Sequence, residues 1–168
     1  VSITKGTVDQ VSNFLLANAS PIGGGASMGD GTVVSESWST GTGTNQWNKA
    51  GTYEYTLAAS ATQLIDLQAD LGLDGAALSL VEVRHFRAQG DSTNVGNVTM
   101  EVDATNGWDA WLDGVGDIVN ITPSSTHGFT CGVDGSYAVD ATHKELLLTN
   151  LDGVNAAIIR IEVVGVNA

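Results

Sequence analysis

The chain has 168 residues with 21 glycines, two prolines, one cysteine and 15% charged residues, where an average domain carries about 25%. That length is one domain, perhaps with an arm, and a lone cysteine excludes both an internal disulfide framework and an all-cysteine zinc site. Six Lys and Arg against 19 Asp and Glu give a formal net charge of −13, which excludes nucleic-acid binding, because a phosphate backbone needs a basic stripe and only Arg84 and Arg87 cluster.

The same charge repels anionic membrane surfaces, and no apolar run approaches the roughly 18 residues of a membrane span. A mean hydropathy of +0.08 is too apolar for a disordered chain. Val1-Ser-Ile-Thr-Lys5 has neither the basic nor the apolar region of a signal peptide, as a processed chain also would not.

Residues 1–50 read as an arm with loosely added strands. Val11-Ser-Asn-Phe14-Leu15-Leu-Ala fits a short strand or one helical turn. Gly-, Ser- and Thr-rich stretches follow at 21–31 and 41–45, and such segments lose much backbone entropy on ordering and seldom build a core. Phe14, Leu15, Trp38 and Trp47 are the apolar side chains with which this arm would anchor on a neighbour, as aromatic hot spots do.

From Tyr53 the strand signal is steady. Tyr53, Tyr55 and Leu57 share one face with Glu54 and Thr56 on the other. Ser60–Leu73, with leucines at 64, 67, 71 and 73, fits either a helix or a strand followed by a turn. Further strands are expected at 77–88, 97–103, 117–122, 127–133, 144–150 and 156–166; in the last, Ile159, Ile161 and Val163 alternate with Arg160 and Glu162. Five Asp-Gly pairs, at Asp30, Asp74, Asp113, Asp134 and Asp152, supply turn chemistry, so much of the acidity marks reversals of the chain. Leu-Asp-Gly recurs at Leu73, Leu112 and Leu151, but the sequences between do not repeat, and recurrent turns explain it better than a solenoid. The pattern predicts an all-β domain over 51–168: an antiparallel β-sandwich, jelly-roll-like, with the Gly/Ser/Thr-rich N-terminal arm attached.

Few residues carry a chemical signature. His127 and Cys131, with Asp134 beyond, would lie about 13 Å apart on a strand, too far to share one ion. His85 and His143 have no partner pattern and read as satisfied surface or edge residues. No nucleophile elbow, zinc-binding helix or phosphate loop is present, and no cofactor or metal is expected. Paired carboxylates of the glycosidase kind meet in space rather than in sequence, and thirteen aspartates supply many coincidental pairs. The best local candidate for binding is the segment from Asn106 to Asp117. Trp108 and Trp111 would be stacking platforms for a sugar, with Asp109, Asp113 and Asp117 as oxygen ligands of the kind calcium favours. The alternative is a loop whose tryptophans pack the edge of the sandwich or a subunit contact.

The run from Tyr53 to Leu67, Ser79-Leu-Val-Glu-Val-Arg84, Gly128-Phe-Thr130, the run from Lys144 to Leu151, and Ile158-Ile-Arg-Ile-Glu-Val-Val-Gly-Val166 together resemble small β-rich virion proteins of tailed bacteriophages over about residues 50–168. The chain departs from that group at Ser125-Thr126, where members carry a Gly-Gly turn. The resemblance implies a non-enzymatic capsid decoration, or cement, protein on the outer capsid surface, bound to the major capsid protein as a homotrimer. A carbohydrate- or receptor-binding module of a tail or fibre, using Trp108 and Trp111, is the alternative; a sandwich hydrolase ranks third.

Overall fold

The computed structural model describes residues 39–43, 46–112, 114, 116–131 and 135–167. Phe14, Leu15, Trp38, Asp113 and Asp134 lie outside the described residues. The described chain contains no helix and eleven strands: β1 (Ser39–Thr40), β2 (Gln46–Trp47), β3 (Lys49–Leu57), β4 (Thr62–Asp66), β5 (Leu80–Gly90), β6 (Val98–Val102), β7 (Ile118–Ile121), β8 (Thr126–Thr130), β9 (Tyr137–Ala138), β10 (Glu145–Asn150) and β11 (Ala157–Asn167).

Alternation decides which side of each strand is buried. In β11, Ile159, Ile161 and Val163 are buried and Arg160 is exposed; in β10, Leu146 and Leu148 point inward and Leu147 outward. The inward positions meet as one core between two sheets. One sheet contributes Leu57, Val83, Phe86, Ala88 and the β11 row; the other contributes Ile65, Val98, Met100, Ile121 and the β10 pair. Each fully buried aliphatic side chain contributes about 1.5–3 kcal/mol, so these rows hold the sandwich far more strongly than any turn does.

The sheets have strand orders β4-β10-β6-β7 and β3-β11-β5-β8, with β9 pairing β5 beyond β8. Consecutive strands β3 and β4, β5 and β6, β7 and β8, and β10 and β11 therefore fall in opposite sheets. This nested antiparallel winding is that of a jelly roll, in agreement with the fold class expected from the sequence. Its ladders are long-range: Lys49 pairs Gly165 and Leu57 pairs Ala157.

The ambiguous Ser60–Leu73 stretch is a strand followed by a turn. β10 supplies a five-pair ladder to β4, and the Asp66 carboxylate then accepts the N–H groups of Gln68 and Ala69, an Asx-type turn that competes with helix. Among the Asp-Gly pairs, Gly75 and Gly114 have the positive φ, 76° and 157°, that the turn reading anticipates. Asp152-Gly153 works differently, through the aspartate side chain, which accepts the N–H groups of Val154 and Asn155.

Residues 46–50, expected to belong to the arm, are built into the sandwich. Trp47 is 2% exposed and packs with Ala50 and Val164 on the outer face of the five-stranded sheet. Lys49 pairs Asp74 at 2.7 Å, and the N–H of Asn167 donates to the Asn48 side chain at 2.8 Å. Trp47 thus anchors the chain to its own sheet, and its ring is not free to grip a neighbour.

Close approach of backbone requires glycine at several strand and loop positions, Gly165, Gly107 and Gly128 among them. A Cβ on Gly128 would sit 2.1 Å from the Phe86 carbonyl oxygen across the β5–β8 ladder. Gly128→Ala is expected to lower stability by about 1–3 kcal/mol through forced separation of the strands, read as a fall in thermal midpoint with fold retained by circular dichroism.

Candidate functional site

The strands send successive loops to alternate ends of the sandwich, and the two ends differ in chemistry. The segment singled out from the sequence, 106–117, lies on the loop between β6 and β7 at the end where β4 and β6 finish and β10 starts. Trp108 is 0% exposed. Its backbone N–H donates to the Glu145 carbonyl at 2.9 Å and its indole N–H to the Ala138 carbonyl at 2.8 Å. Ring centroids lie 5.8 Å away at Phe86, 6.2 Å at Trp111 and 6.0 Å at Phe129, and Phe129 meets Tyr137 edge-on at 4.6 Å. A stacking platform needs an open ring face, and Trp108 has none. That expectation is corrected: Trp108 is the plug of the core at this end. Trp111 is half-buried against the same cluster, with its indole nitrogen buried and lacking a hydrogen-bond partner. Asp109 sits beside them half-buried. The sequence offered no signal that both tryptophans turn toward the core, because their ring partners Phe86 and Phe129 come from distant strands.

The other titratable groups serve structure. His127 and Cys131 belong to the β8 segment, where burial pushes the Cys131 thiol above its ordinary range. Among the described residues no cluster of three His, Cys, Asp or Glu side chains is arranged to hold a metal ion. His143 contacts the Asp140 carboxylate at 3.0 Å on an exposed turn. His85 corrects the surface reading made for it: it is fully buried on β5, its Nδ1 lies 2.9 Å from the Thr130 hydroxyl, and its Nε2 lacks a partner.

Asp66 and Asp70 are the carboxylate pair that most invites a hydrolase reading. Burial and the neighbouring Asp66 charge push Asp70 up, although hydrogen bonds offset part of this. Burial also pushes Asp66 up, but its bonds from Lys144, Gln68 and Ala69 outweigh that and hold it below the ordinary range. Such divergence can mark an acid and its partner. Here, however, Asp70 accepts the Asp66 N–H at 3.1 Å and Asp66 is bound to Lys144. Both carboxylates are engaged in the turn, and the turn accounts for the divergence.

This end is acidic. Asp70, Asp74, Asp103, Asp109, Asp117 and Asp140 lie on its loops, while Lys49 and Lys144 supply local cations through pairs with Asp74 and Asp66. The opposite end consists of loops 58–61, 91–97, 122–125 and 151–156, whose only charged residues are Asp91 and Asp152. Asp91 is bound to Arg160 at 2.7 Å. Three aliphatic side chains project there: Val95, 72% exposed, Leu151, 56%, and Val154, 84%. Leu71 and Leu73 are exposed as well, but between Asp70 and Asp74 at the acidic end.

The aliphatic side chains stand on fixed loops. Asn94 exchanges two hydrogen bonds with the backbone of Ile158, at 2.8 and 2.7 Å. The buried Asn150 amide donates to the carbonyls of Ala58 at 3.0 Å and Asn155 at 2.9 Å, and its oxygen accepts the Asp152 N–H at 3.0 Å. Asn150→Ala would leave these groups unpaired, and a loss of about 1–3 kcal/mol is expected. Faster amide exchange at Val154 and Asn155 than in β11 would check that the loss is local in origin.

No protein-family model matches the chain, and no curated protein matches it, so the resemblance to tailed-phage virion proteins rests on the quoted phrases. Among solved structures, the chain is similar to a de novo designed double-stranded β-helix at 12% identity and TM-score 0.35, over 67% of this chain and 96% of that one. It is similar to a protein of Bacillus endospore appendages, described as disulfide-linked pili, at 13% identity and TM-score 0.36, over 71% and 86%. A chain of tomato aspermy virus aligns at 10% identity and TM-score 0.43, over 94% and 92%. At these identities and scores the likeness carries nothing about function.

Proposed function

We propose that this chain is a non-enzymatic structural protein of a virion, a capsid decoration protein that binds the major capsid protein on the outer surface and does so as a homo-oligomer. The observation that carries the reading is the segregation of surface chemistry: a rigid jelly roll with an apolar, weakly charged end for protein contact and an acidic end suited to face solvent. Acidic outer surfaces keep a particle dispersed at high concentration. The turn roles of Asp66, Asp91, Asp140 and Asp152 fit the same reading, because these carboxylates satisfy backbone N–H groups of their own loops.

The test is co-sedimentation of the purified chain with capsids stripped of their surface proteins. Saturable binding at a stoichiometry matching the lattice symmetry is expected. Absence of binding would overturn the reading, and a tryptophan-fluorescence response to glycans in the same preparation would favour the tail or fibre alternative. Removing residues 1–38 tests the arm: particle binding should fall while the thermal midpoint stays. A cut at residue 50 would confound the result, since Trp47, Lys49 and Ala50 pack on the sandwich.

A further inference from the structure

The outer face of the five-stranded sheet carries a buried histidine under a thin cover. Register places Ala50, Val164, His85 and Thr130 in one row across β3, β11, β5 and β8. Trp47 packs on Ala50 and Val164, and the Gly43 carbonyl accepts Arg84 Nη1 at 3.1 Å. The segment carrying Gly43 and Trp47 is thus pinned at two points, and His85 adjoins both: Arg84 along the chain and Val164 across the ladder. Little else ties the segment to the sheet. β1 pairs with β2, and Gly41 N–H donates to the Trp47 carbonyl at 2.8 Å and Gln46 N–H to the Gly43 carbonyl at 3.1 Å, so these bonds stay within the segment. Asn48 N–H, bound to the Gly165 carbonyl at 3.2 Å, marks where the chain enters the sheet.

We infer that residues 39–43 and 46–47 form an acid-sensitive strap: protonation of His85 loosens it, uncovering Trp47 and the outer face of β5 while the sandwich beneath stays folded. The imidazole has no place for a second N–H. Nδ1 faces the Thr130 hydroxyl at 2.9 Å, and Nε2 is buried without a partner. Its surroundings offer no free anion. On β5, Arg84 and Arg87 flank it, and the neighbouring carboxylates are engaged, Glu82 by Arg84 at 3.1 Å and Glu162 of β11 by Arg87 at 3.2 Å. Thr130, Val164 and Ala50 are uncharged, and burial pushes up the Cys131 thiol that follows Thr130. Residues 39–47 contain no ionisable side chain, and Lys49 just beyond them is paired with Asp74. A proton on His85 therefore adds a positive charge beside two arginines, beneath a cover that cannot compensate it.

Lifting the strap relieves that charge at least cost. Any opening that brings the imidazole into water gains the same proton-linked free energy, so the opening that breaks fewest contacts comes first. The strap gives up the packing of Trp47 on Ala50 and Val164 and the bond from Arg84. Global unfolding must in addition break the core between the sheets, with which the Trp47 cluster shares no residue. Residues 1–38 reach the sandwich through this strap, so their point of attachment is released with it. The inference stands or falls without any capsid partner.

Amide hydrogen exchange of the full chain, measured by NMR at pH 7 and pH 5 and normalised to the unstructured-chain rate at each pH, tests this. The Gly41, Gln46 and Asn48 amides should be less protected than those of β11 and unaffected by low urea, which marks a local opening. With the imidazole titrating at about 4 under the strap and at 6.5 once released, their protection should fall by about twentyfold from pH 7 to pH 5. In His85→Phe that fall should vanish. Trp47→Ala gives a second reading: the His85 ring signals should titrate closer to 6.5, with the β10 and β11 ladders retained. Strap amides as protected as those of β11 overturn the inference, as does a pH response that persists in His85→Phe. An unshifted His85 titration in Trp47→Ala does the same, and so does a Trp47→Ala chain that fails to fold, because the strap could then not part from the sandwich.

Discussion

Trp108→Ala is expected to lower the free energy of unfolding by about 3–5 kcal/mol, a large part of the 5–15 kcal/mol that a domain usually has. The indole fills the space between Phe86, Trp111 and Phe129 where the two sheets end, and alanine would leave a cavity that these rings, two of them fixed on strands β5 and β8, close only in part. Trp108→Phe separates the two contributions. It keeps an aromatic ring but leaves the Ala138 carbonyl without its donor, a loss of about 1–3 kcal/mol. Urea denaturation of the three proteins measures both, with an unchanged slope showing that the same surface is exposed on unfolding. A loss below about 1 kcal/mol for Trp108→Ala would mean that the ring is dispensable to the core and would reopen a binding role for it.

Acidification is expected to weaken the fold by about 3 kcal/mol between pH 6.5 and about 4 through His85 alone. Burial, reinforced by the Arg87 charge, lowers its pKa from 6.5 to about 4. The folded protein therefore keeps the imidazole neutral where the unfolded chain protonates it. Stability is full above pH 6.5, falls as the pH drops through that value, and levels off below about 4; the difference of about 2.5 units, at 1.36 kcal/mol each, gives the magnitude. The geometry explains the shift: on the outer face of β5, His85 lies between Val164 of β11 and Thr130 of β8, with nothing to accept a second N–H. His85→Phe should flatten the pH dependence in this window. Asp91 and Asp140, held down at about 2 by bonds from their own turns and from Arg160 or His143, act lower: their stabilisation is lost as the pH falls below about 3.8. Asp70 has the opposite sign, because its pKa is raised, so protonating it favours the folded state. Equilibrium unfolding at pH 7, 6, 5 and 4 for wild type and His85→Phe reads the His85 contribution as the difference between two curves. Parallel curves would refute it.

Much of the strand layout was legible. The windows expected at 97–103, 117–122 and 144–150 contain β6, β7 and β10, and β11 runs one residue past the window 156–166; the inward rows of β11 and β10 follow from period-two alternation alone. The site was less so. His85 and Arg87 alternate with Phe86 and Ala88 as an outward row should, and both are buried. Alternation tells which residues share a face. It does not tell that the outer face is also covered, as it is near Val164 by Trp47. Trp108 and Trp111 look alike in sequence and share the ring neighbours Phe86 and Phe129, but Trp108 is tied to β9 and β10 through the Ala138 and Glu145 carbonyls, whereas the Trp111 indole nitrogen has no hydrogen-bond partner.

The sequence by itself determined the all-β class, the turn positions and the excess of negative charge, because these depend on residues one to four apart. Tertiary structure decided which end of the sandwich each loop occupies, and hence that the aspartates of loops 67–79, 103–117 and 139–144 gather at one end while Val95, Leu151 and Val154 gather at the other. Successive antiparallel strands send successive loops to alternate ends, so chain neighbours are separated by a strand length, and residues more than fifty positions apart are brought together. That segregation exists only once β3 has found β11 and β4 has found β10, and no local pattern encodes those pairings.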